Sequence, residues 1–576
     1  MPNQPNTDGT ATIDQDVELT AIFEERAENL SEDELWKWSA ETERDRALLV
    51  KLKGSGAKLL SGPRGSGKST LLRKAYFALL EEGQALPVYV NFSRSLALEP
   101  LFHTNANAPQ VFQQWVIRKI ISGVSDAVRL IPSAVIPPSL NQISTESADY
   151  IHRLETGQDP PMVSRLISPS ELLVLLEAWS KALGLSRCVL LLDDAAHAFS
   201  PEQQRDFFEV FRTLKSRHVA AKAAVYPGIT SYSPYFHIGH EAELLEAWYA
   251  PDDDAYLATM RSVAQTRLPK NLYDRFEGKT EIIDFLALAS FGLPRGFLNM
   301  LSYVLGIEAN ANANAKPTRR SAEQAVALHA ESVRNIFSAL RDKLPRLKNF
   351  VEVGLELQRA VAHALRSFNS TKAPGREKTT VVAISEPIPT EISRILGMAE
   401  YAGILRRGSS VSRGVKGVFQ RYTLHYSIVI VENSLSLGKS YALDDANRSL
   451  ASTSAHAFVR VQVPNLLGPT FADRCTIDLA PCHRCGTPRV SEDARFCMKC
   501  GAELKDVSVY DELIHADIEK LPLTPNKITG LKTYTTLRTV QDILLDQEAI
   551  QIRKVPYVGP VWSSRIQTAA QEYVSV

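Results

Sequence analysis

Apolar residues in the first part of the chain alternate between short unbroken runs and runs with helical spacing. The run AKLLS at 57–61 is continuous, as in a strand buried on both faces, and Leu and Ala then recur every three or four residues over 71–80. Further buried strands are predicted at 86–92, 188–192 and 220–226, and helices at 111–128, 171–183 and 202–215. Strands that alternate with helices predict a mixed α/β domain with a parallel sheet. The segment 129–168 is rich in Pro, Ser and Asn, which predicts an irregular insertion.

The flanking parts of the chain show other patterns. Residues 1–16 are polar and predict disorder, whereas 17–53 and most of 252–347 have helical spacing. The alternating Ala and Asn of 309–315 predict a loose loop. Helices are predicted at 351–368 and 390–402, followed by a hairpin that returns through 419–426. Helices followed by such a hairpin predict a winged helix.

Length and composition narrow the class of protein. A chain of 576 residues is too long for one core, so about three to five domains are expected. Lys plus Arg and Asp plus Glu both total 65, so any basic surface must be local. No apolar run approaches ~20 residues and the N-terminus lacks the basic and apolar parts of a signal peptide. We therefore expect no membrane span and a cytoplasmic protein.

The segment LLSGPRGSGKSTLL at 59–72 fits the P-loop pattern G-x-x-x-x-G-K-[ST]. Its glycines allow backbone N–H groups to surround phosphates, and the helix that follows directs its positive end toward them. Lys68 would contact the β- and γ-phosphates, and the Ser69 hydroxyl would hold Mg²⁺. The predicted ATP-binding residues are Gly62, Pro63, Arg64, Gly65, Ser66, Gly67, Lys68, Ser69 and Thr70.

A second acidic motif, CVLLLDD at 188–194, ends a fully apolar strand. This is the form of a Walker B motif, in which Asp193 would hold Mg²⁺ through water and Asp194 would polarise the attacking water. Many Walker B motifs have Glu at the position of Asp194. Because Asp is one methylene shorter than Glu, hydrolysis is expected to be slow. The strand at 220–226 would end beside the γ-phosphate, where this class of ATPase places a polar sensor residue; Tyr226 and Thr230 are the candidates, and ordinary residues at a strand end are the alternative. Arg212 and Arg217 are candidate arginine fingers for a neighbouring subunit, although a solvated helix end also accounts for them.

The sequence FGLPRGFL at 291–298 completes a resemblance to a known family. With the P-loop, LLLDDA and YPG, it resembles AAA+ ATPases of the origin-recognition (ORC/Cdc6) type and the related STAND signalling ATPases. The resemblance covers roughly residues 20–450. It implies a helical lid in which Pro294 and Arg295 lie over the nucleotide, with Arg295 contacting the phosphates as a catalytic residue beside Lys68, Asp193 and Asp194.

The predicted hairpin is basic. No acidic residue occurs between Tyr401 and Val431, whereas five basic residues do: Arg406, Arg407, Arg413, Lys416 and Arg421. A basic, glycine-rich hairpin suits contact with the phosphates of duplex DNA. Docking on a protein with a solvated hairpin tip is the alternative.

Cysteines are arranged as two C-x-x-C-G turns. Cys482, Cys485, Cys497 and Cys500 can close a tetrahedral site, which predicts a structural Zn²⁺ in a short zinc ribbon. Residues 511–576 are similar to helix-hairpin-helix modules and to the C-terminal domain of the bacterial RNA polymerase α subunit. That resemblance implies either non-specific DNA binding, with Arg553, Lys554 and Arg565 near Gly559, or docking on a protein; Tyr557 stands where many DNA-binding hairpins have Gly.

These features predict a multidomain α/β protein. The expected parts are an N-terminal extension (1–45), a P-loop AAA+ ATPase domain (46–250), a helical lid (251–347), a winged helix (348–450), a linker (451–478), a four-cysteine zinc ribbon (479–505) and a small helix-hairpin-helix-like domain (511–576). The favoured hypothesis is a bacterial-type ATPase switch that uses ATP and Mg²⁺ and couples nucleotide state to duplex DNA. The alternative is a STAND-like signalling ATPase, for instance in phage defence, whose appendages sense a protein or nucleic-acid trigger. Either hypothesis allows a homo-oligomer and a protein partner at the zinc ribbon or C-terminal domain.

Overall fold

The computed structural model describes residues 27–40, 42–104, 107–156, 158–195, 201–307, 316–372, 378–438, 441–451, 458–489, 494, 496–504, 508–546, 548–556 and 558–574. The predicted disorder at 1–16 and the loop predicted at 309–315 lie outside these residues. Among the described residues, no helix is both long and apolar enough to cross a membrane.

A five-stranded sheet forms the centre of the first part of the chain. Its strands are β1 Lys58–Ser61, β2 Ala85–Asn91, β3 Arg187–Asp193, β4 Val219–Val225 and β5 Glu243–Glu246. They pair in the order β2-β3-β4-β1-β5, and every pair is parallel. The prediction of a mixed α/β domain with a parallel sheet is therefore confirmed, and this architecture fits an AAA+ core.

Helices cover this sheet. They are α1 Glu32–Lys37, α2 Glu43–Lys53, α3 Lys68–Glu82, α4 Glu99–Thr104, α5 Ala108–Leu130, α6 Pro138–Glu155, α7 Pro169–Ala182 and α8 Pro201–Thr213. The irregular insertion predicted at 129–168 is wrong, because α6 occupies its middle. Leu140, Ile143, Tyr150 and Leu154 bury one face of α6, and the Ser and Asn residues that suggested a loop lie mostly on the other faces.

The next part of the chain is helical, as predicted. Its helices are α9 Tyr256–Arg267, α10 Lys270–Tyr273, α11 Thr280–Ala289, α12 Pro294–Val304, α13 Arg319–Ser338 and α14 Leu340–Lys343. We call residues 251–347 the helical region. Its apolar side chains belong to the same core cluster as those of the segment that follows, so the two pack as one body.

Residues 348–467, here called the hairpin unit, contain a second sheet. Its elements are α15 Lys348–Ser370, β6 Val381–Ser385, α16 Thr390–Tyr401, β7 Leu405–Ser412, β8 Val418–Leu424, α17 Tyr426–Val431, α18 Leu443–Ala451, β9 Val459–Val461 and α19 Val463–Leu467. The hairpin β7–β8 is antiparallel, as predicted. Strands β6 and β9 were not predicted, and β9 pairs with β6 from within the stretch taken as a linker. Compositional evidence for a linker therefore missed a strand of three residues.

The remaining elements are short. They are α20 Phe471–Arg474, α21 Val509–Ile514, α22 Pro525–Tyr534, α23 Val540–Leu545 and α24 Pro560–Val574, with 3-10 helices at Ala27–Asn29, Ser95–Leu98, Asp274–Phe276, Pro345–Leu347, Gly414–Lys416, Ile518–Lys520 and Ile552–Lys554. Residues 508–574, here called the C-terminal unit, enclose an apolar core of their own that extends from Ile518 to Ala570.

Candidate active site

The carboxyl ends of three neighbouring strands meet beside the P-loop. β1 ends at Ser61 and β3 at Asp193, and β4, which lies between them, ends at Val225. The Gly62 N–H donates to the Val225 carbonyl oxygen over 3.4 Å, which fixes the loop to the sheet. Ligands of parallel α/β sheets bind at this edge. The strand order therefore brings the P-loop and the Asp193–Asp194 pair to one site.

The P-loop backbone depends on its glycines. Gly65 and Gly67 have φ angles of 81° and 89°, in the left-handed region that favours glycine. A Cβ on Gly62 would lie 2.4 Å from Ser66 Oγ, whereas a Cβ on Gly67 would have no described atom within 4 Å. The loop thus leaves space at the N-terminus of α3, a helix of 15 residues whose partial positive charge favours an anion.

Lys68 lies within this loop. Its Nζ donates to the carbonyl oxygens of Gly62 (2.7 Å) and Pro63 (3.1 Å) and lies 3.9 Å from the centroid of the Tyr226 ring. Burial lowers the pKa of Lys68 to about 7, although the nearby Asp194 and Asp193 oppose this shift. A bound phosphate would add negative charge and favour the ammonium form. The ammonium group is therefore placed to respond to an anion in the loop.

Both residues predicted to hold Mg²⁺ lie together. Asp193 is fully buried, and its carboxylate accepts hydrogen bonds from Ser69, from the Tyr89 hydroxyl (2.8 Å) and from the Asp194 N–H (3.0 Å). Burial and the neighbouring Asp194 raise the pKa of Asp193. A hydroxyl beside a buried carboxylate is a donor set that fits Mg²⁺, which prefers oxygen ligands. Tyr89 was missed, although it is the polar-tipped residue in an apolar strand.

Asp194 faces Tyr226 across the site. The Tyr226 hydroxyl donates to Asp194 Oδ1 over 3.0 Å, and Asp194 has a φ of 51°, a left-handed conformation that Asp tolerates. Thr230, the other candidate sensor, points into the turn, where its Oγ1 accepts from the Tyr226 N–H (3.1 Å) and donates to the Tyr226 carbonyl (2.7 Å). Tyr226 is thus the candidate that contacts both Lys68 and Asp194.

Arg295 reaches the P-loop from the helical region. Pro294 begins α12, and the Cβ of Arg295 would lie 3.3 Å from a Cβ built on Gly65. This approach depends on Gly292, whose φ is 80° and whose Cβ would lie 1.9 Å from the Tyr249 carbonyl oxygen. The segment that carries Arg295 can pack this closely against the backbone of Tyr249 only because Gly292 lacks a side chain.

One carboxylate from the far end of the chain joins these cations. Glu572 Oε1 lies 3.7 Å from Arg64 Nη2 and 3.8 Å from Arg295 Nη1. The Tyr401 hydroxyl oxygen also contributes, because it accepts a hydrogen bond from the Arg64 guanidinium. Neither Glu572 nor Tyr401 was predicted at this site, since no motif or spacing in the sequence relates either residue to the P-loop.

The candidate arginine fingers lie elsewhere. Arg212 is on α8 and pairs with Glu209 over 2.9 Å, and Arg217 is exposed after that helix. Neither residue joins the cluster around Lys68 and Asp193. A role toward a second subunit stays a prediction.

The basic residues of the hairpin have different surroundings. Arg406 contacts other parts of the chain: it pairs with Glu246 of β5 (3.2 Å) and with Asp252 at the start of the helical region (3.1 Å), and it lies over the Trp248 ring. Arg421 binds the backbone and side chain of Ser409. The other members also differ: Arg413 lies over the Phe458 ring, Arg407 is exposed, and the Lys416 side chain lies outside the described residues. Arg407 is consequently the best placed of these residues for a partner, whereas Arg406 serves an internal contact.

The four predicted zinc ligands converge. The sulfur atoms of Cys482, Cys485, Cys497 and Cys500 all lie within 4.8 Å of one another, with pairs at 3.5 and 3.6 Å. A tetrahedron with Zn–S bonds of about 2.3 Å has sulfur atoms about 3.8 Å apart, so the cluster fits Zn²⁺. Gly486 and Gly501 have φ angles of 68° and 65°. Their N–H groups donate to the carbonyl oxygens of the first cysteine of each turn, which closes the turn.

The C-terminal unit carries basic and aromatic side chains together. Lys527 Nζ and the Arg565 guanidinium lie 4.7 and 5.4 Å from the Trp562 ring. Arg553 and Lys554 are exposed, and Tyr557 lies outside the described residues. Both DNA binding and protein docking stay predictions for this unit.

Comparisons with known proteins yield little. No protein-family model and no curated protein matches the chain. Among solved structures, Cdc6p from Pyrobaculum aerophilum is similar over 70% of this chain and 96% of its own, with 14% sequence identity and a TM-score of 0.29. A TM-score this low does not establish a shared fold.

Proposed function

We propose that this chain is a Mg²⁺-dependent ATPase of the AAA+ type that works as a slow switch. One observation carries the proposal. The P-loop, with its Lys68 and Ser69, lies far in sequence from the Asp193–Asp194 pair, yet the two motifs form one cluster at the carboxyl edge of a parallel sheet. Phosphate recognition and magnesium-assisted hydrolysis require this combination of groups.

Each residue has a definable task. The N-terminus of α3 and Lys68 bind the phosphates, and Ser69 and Asp193 would hold Mg²⁺. When bound, the cation neutralises charge on the β- and γ-phosphate oxygens. Asp194 orients and polarises the attacking water, while Tyr226 holds the Asp194 carboxylate. Arg295 contributes a positive charge from the helical region, which links phosphate binding to the position of that region.

The hairpin unit is connected to this site by direct packing. The rings of Tyr226 and Tyr401 meet edge to face with centroids 5.2 Å apart. Close to these rings, the turn after β4 packs against α16 through Gly228 and Gly397. The approach is so close that a Cβ on Gly397 would lie 2.4 Å from the Gly228 carbonyl oxygen. A change at Tyr226 on nucleotide binding would therefore be passed to α16 and the hairpin that follows it.

We propose duplex DNA as the ligand of the hairpin unit. Arg407 is exposed on β7 and Arg460 on β9, strands of the same sheet, and that sheet ends in a hairpin rich in Gly and Ser. Strands β7 and β9 are the two edges of that sheet, so Arg407 lies on the hairpin and Arg460 at the opposite edge; exposed guanidinium groups suit contact with phosphates. The four-cysteine site would bind a structural Zn²⁺ and has no position for catalysis.

The ATPase proposal is tested by measuring ATP turnover and equilibrium ATP binding with purified protein. Lys68→Ala should abolish binding, whereas Asp194→Asn, which preserves shape, should keep binding and lower turnover by about 100-fold or more. Zinc content should be the same in all three proteins. Turnover that survives in Lys68→Ala would refute the assignment.

The DNA proposal requires its own test. Arg407→Ala should weaken duplex binding and lower the slope of log affinity against log salt by about 0.9 if one phosphate contact is lost. Arg448→Ala, an exposed arginine on α18, is the matched control. Equal affinity and slope for both variants and the wild type would reassign the hairpin to protein docking.

A second candidate function is a STAND-like signalling switch. The observation that favours it is the contact of the C-terminal unit with Arg64 and Arg295, because such a contact can hold a switch closed until a trigger arrives. ATP turnover that rises with duplex DNA supports the first function. Turnover that is indifferent to DNA, in a monomer that assembles only with a trigger, supports the second.

A further inference from the structure

The last helix of the chain ends against the P-loop. Near the end of α24 (Pro560–Val574), the Glu572 carboxylate approaches two guanidinium groups with the same oxygen, 3.7 Å from Arg64 and 3.8 Å from Arg295. The Glu572 carbonyl oxygen accepts from Lys343 Nζ at 3.5 Å. All three cations thus converge on one residue of the C-terminal unit.

These cations repel one another without an anion. Burial by itself would lower the pKa of Arg64, and Glu572 is foremost among the neighbours that instead hold this pKa above its ordinary value. The pKa of Lys343 is lowered to about 7, mainly by burial and secondarily by Arg64, whereas Glu572 opposes both effects. A carboxylate and a phosphate satisfy such guanidinium groups by the same charge-assisted contacts. Glu572 therefore stands in for an anion at a site whose other features suit phosphate.

The remaining contacts of the C-terminal unit with the rest of the chain include several that are polar and local. The buried Glu99 accepts from Ser508 Oγ (2.7 Å) and from the N–H groups of Val509 and Tyr510 (both 3.4 Å), and Lys520 lies 3.6 Å from Asp342. The unit has its own apolar core. Apolar packing also attaches the unit: Leu513 belongs to the core cluster of the helical region and the hairpin unit, and Val509, Tyr510, Tyr573 and Val574 pack against that cluster. Because this attachment is a limited set of polar and apolar contacts and the unit has a core of its own, the unit can separate as a body without unfolding.

We propose that Glu572 is an intramolecular competitor of ATP. With no nucleotide bound, Glu572 pairs with Arg64 and Arg295 and holds the C-terminal unit on the ATPase core. Phosphate binding displaces Glu572 and releases residues 508–574. We call this contact the Glu572 latch. The latch rests on the proposed nucleotide site and adds its regulation. Because the docked unit and the nucleotide exclude each other, the apparent ATP affinity is reduced by the docked fraction.

The test uses the full-length protein and the isosteric variant Glu572→Gln, with Glu512→Gln, an exposed residue of the same unit, as the matched control. Removal of two partly exposed ion pairs should tighten ATP binding about five- to thirtyfold. Ser508→Ala weakens the other attachment, away from the P-loop, and should also tighten ATP binding. An effect of Ser508→Ala distinguishes competition by docking from a purely local change of charge.

Hydrogen exchange over residues 508–574 supplies a second readout. ATP should increase exchange at the edge of the C-terminal unit that faces the core in the wild type, and Glu572→Gln should show this increase without nucleotide. If the wild type binds ATP while exchange and the affinity of Glu572→Gln stay unchanged, the latch is wrong and the ATPase proposal stands. If no variant binds ATP, the proposed function fails and ATP competition falls with it; the nucleotide-free exchange of Glu572→Gln then still decides whether Glu572 holds the unit in place.

Discussion

The contact between Gly228 and Gly397 predicts a measurable effect of adding one methyl group. Gly397 lies in α16, and a Cβ there would be 2.4 Å from the carbonyl oxygen and 3.0 Å from the carbonyl carbon of Gly228. Ordinary contacts are about 3.5 Å, so Gly397→Ala must separate the two backbones by about 1 Å. No side-chain rotation can relieve this contact, because both partners are backbone.

Two opposing contributions set the expected change in the free energy of unfolding of Gly397→Ala. Alanine in the middle of a helix is favoured over glycine by about 1 kcal/mol. Overpacking of a tight contact costs about 1–3 kcal/mol, and the upper value applies because the φ of Gly228 is 74° and leaves its turn little freedom. The expected net loss is about 2 kcal/mol, which corresponds to a fall in melting temperature of roughly 4 to 8 °C for a domain of this size.

The assay is thermal unfolding followed by calorimetry, together with ATP binding. Gly408→Ala is the matched control, since a Cβ on Gly408 would lie an ordinary 3.5 Å from the Arg421 Cβ in the same unit. That variant should stay within about 0.5 kcal/mol of the wild type. If Gly397→Ala melts at or above the wild-type temperature, the backbone contact between the turn after β4 and the hairpin unit does not exist as described.

Three further predictions concern the metal, the sensor and acid stability. Metal analysis should find one Zn²⁺ per chain, and a chelator should make residues 479–504 sensitive to protease while melting of the part built on the five-stranded sheet stays unchanged; protein free of zinc would contradict the assignment of the four cysteines. Tyr226→Phe should keep ATP affinity and lower turnover about tenfold, since it loses the hydrogen bond to Asp194 but keeps the ring over Lys68. Burial lowers the pKa of His425 well below its ordinary value and that of His329, whose ring centroid is 5.3 Å away, to about 4. The unfolded chain therefore binds protons below about pH 6.5 that the folded chain does not, so stability should fall as pH drops from 7 to 5, and His425→Gln should reduce that dependence.

Features with a local signature could be predicted from the sequence. The P-loop, the acidic end of β3 and the two C-x-x-C-G turns are short segments in which the spacing of residues is itself the chemistry. The strands and helices of the parallel sheet follow from runs of apolar residues and from helical periodicity. Local patterns misled where composition and periodicity disagreed, as in α6, whose polar faces resemble a loop.

Contacts between residues distant along the chain were decided by the tertiary structure alone. Glu572 beside Arg64, Tyr401 against Tyr226 and the pairing of Arg406 with Glu246 and Asp252 join segments whose sequences carry no sign of one another. Strands as short as β9 likewise have too few residues to show a period, and only pairing with β6 defines them. The sequence by itself therefore determined which chemical groups this protein carries, and the packing of separate units determined which of those groups meet, because charge and shape complementarity act through space.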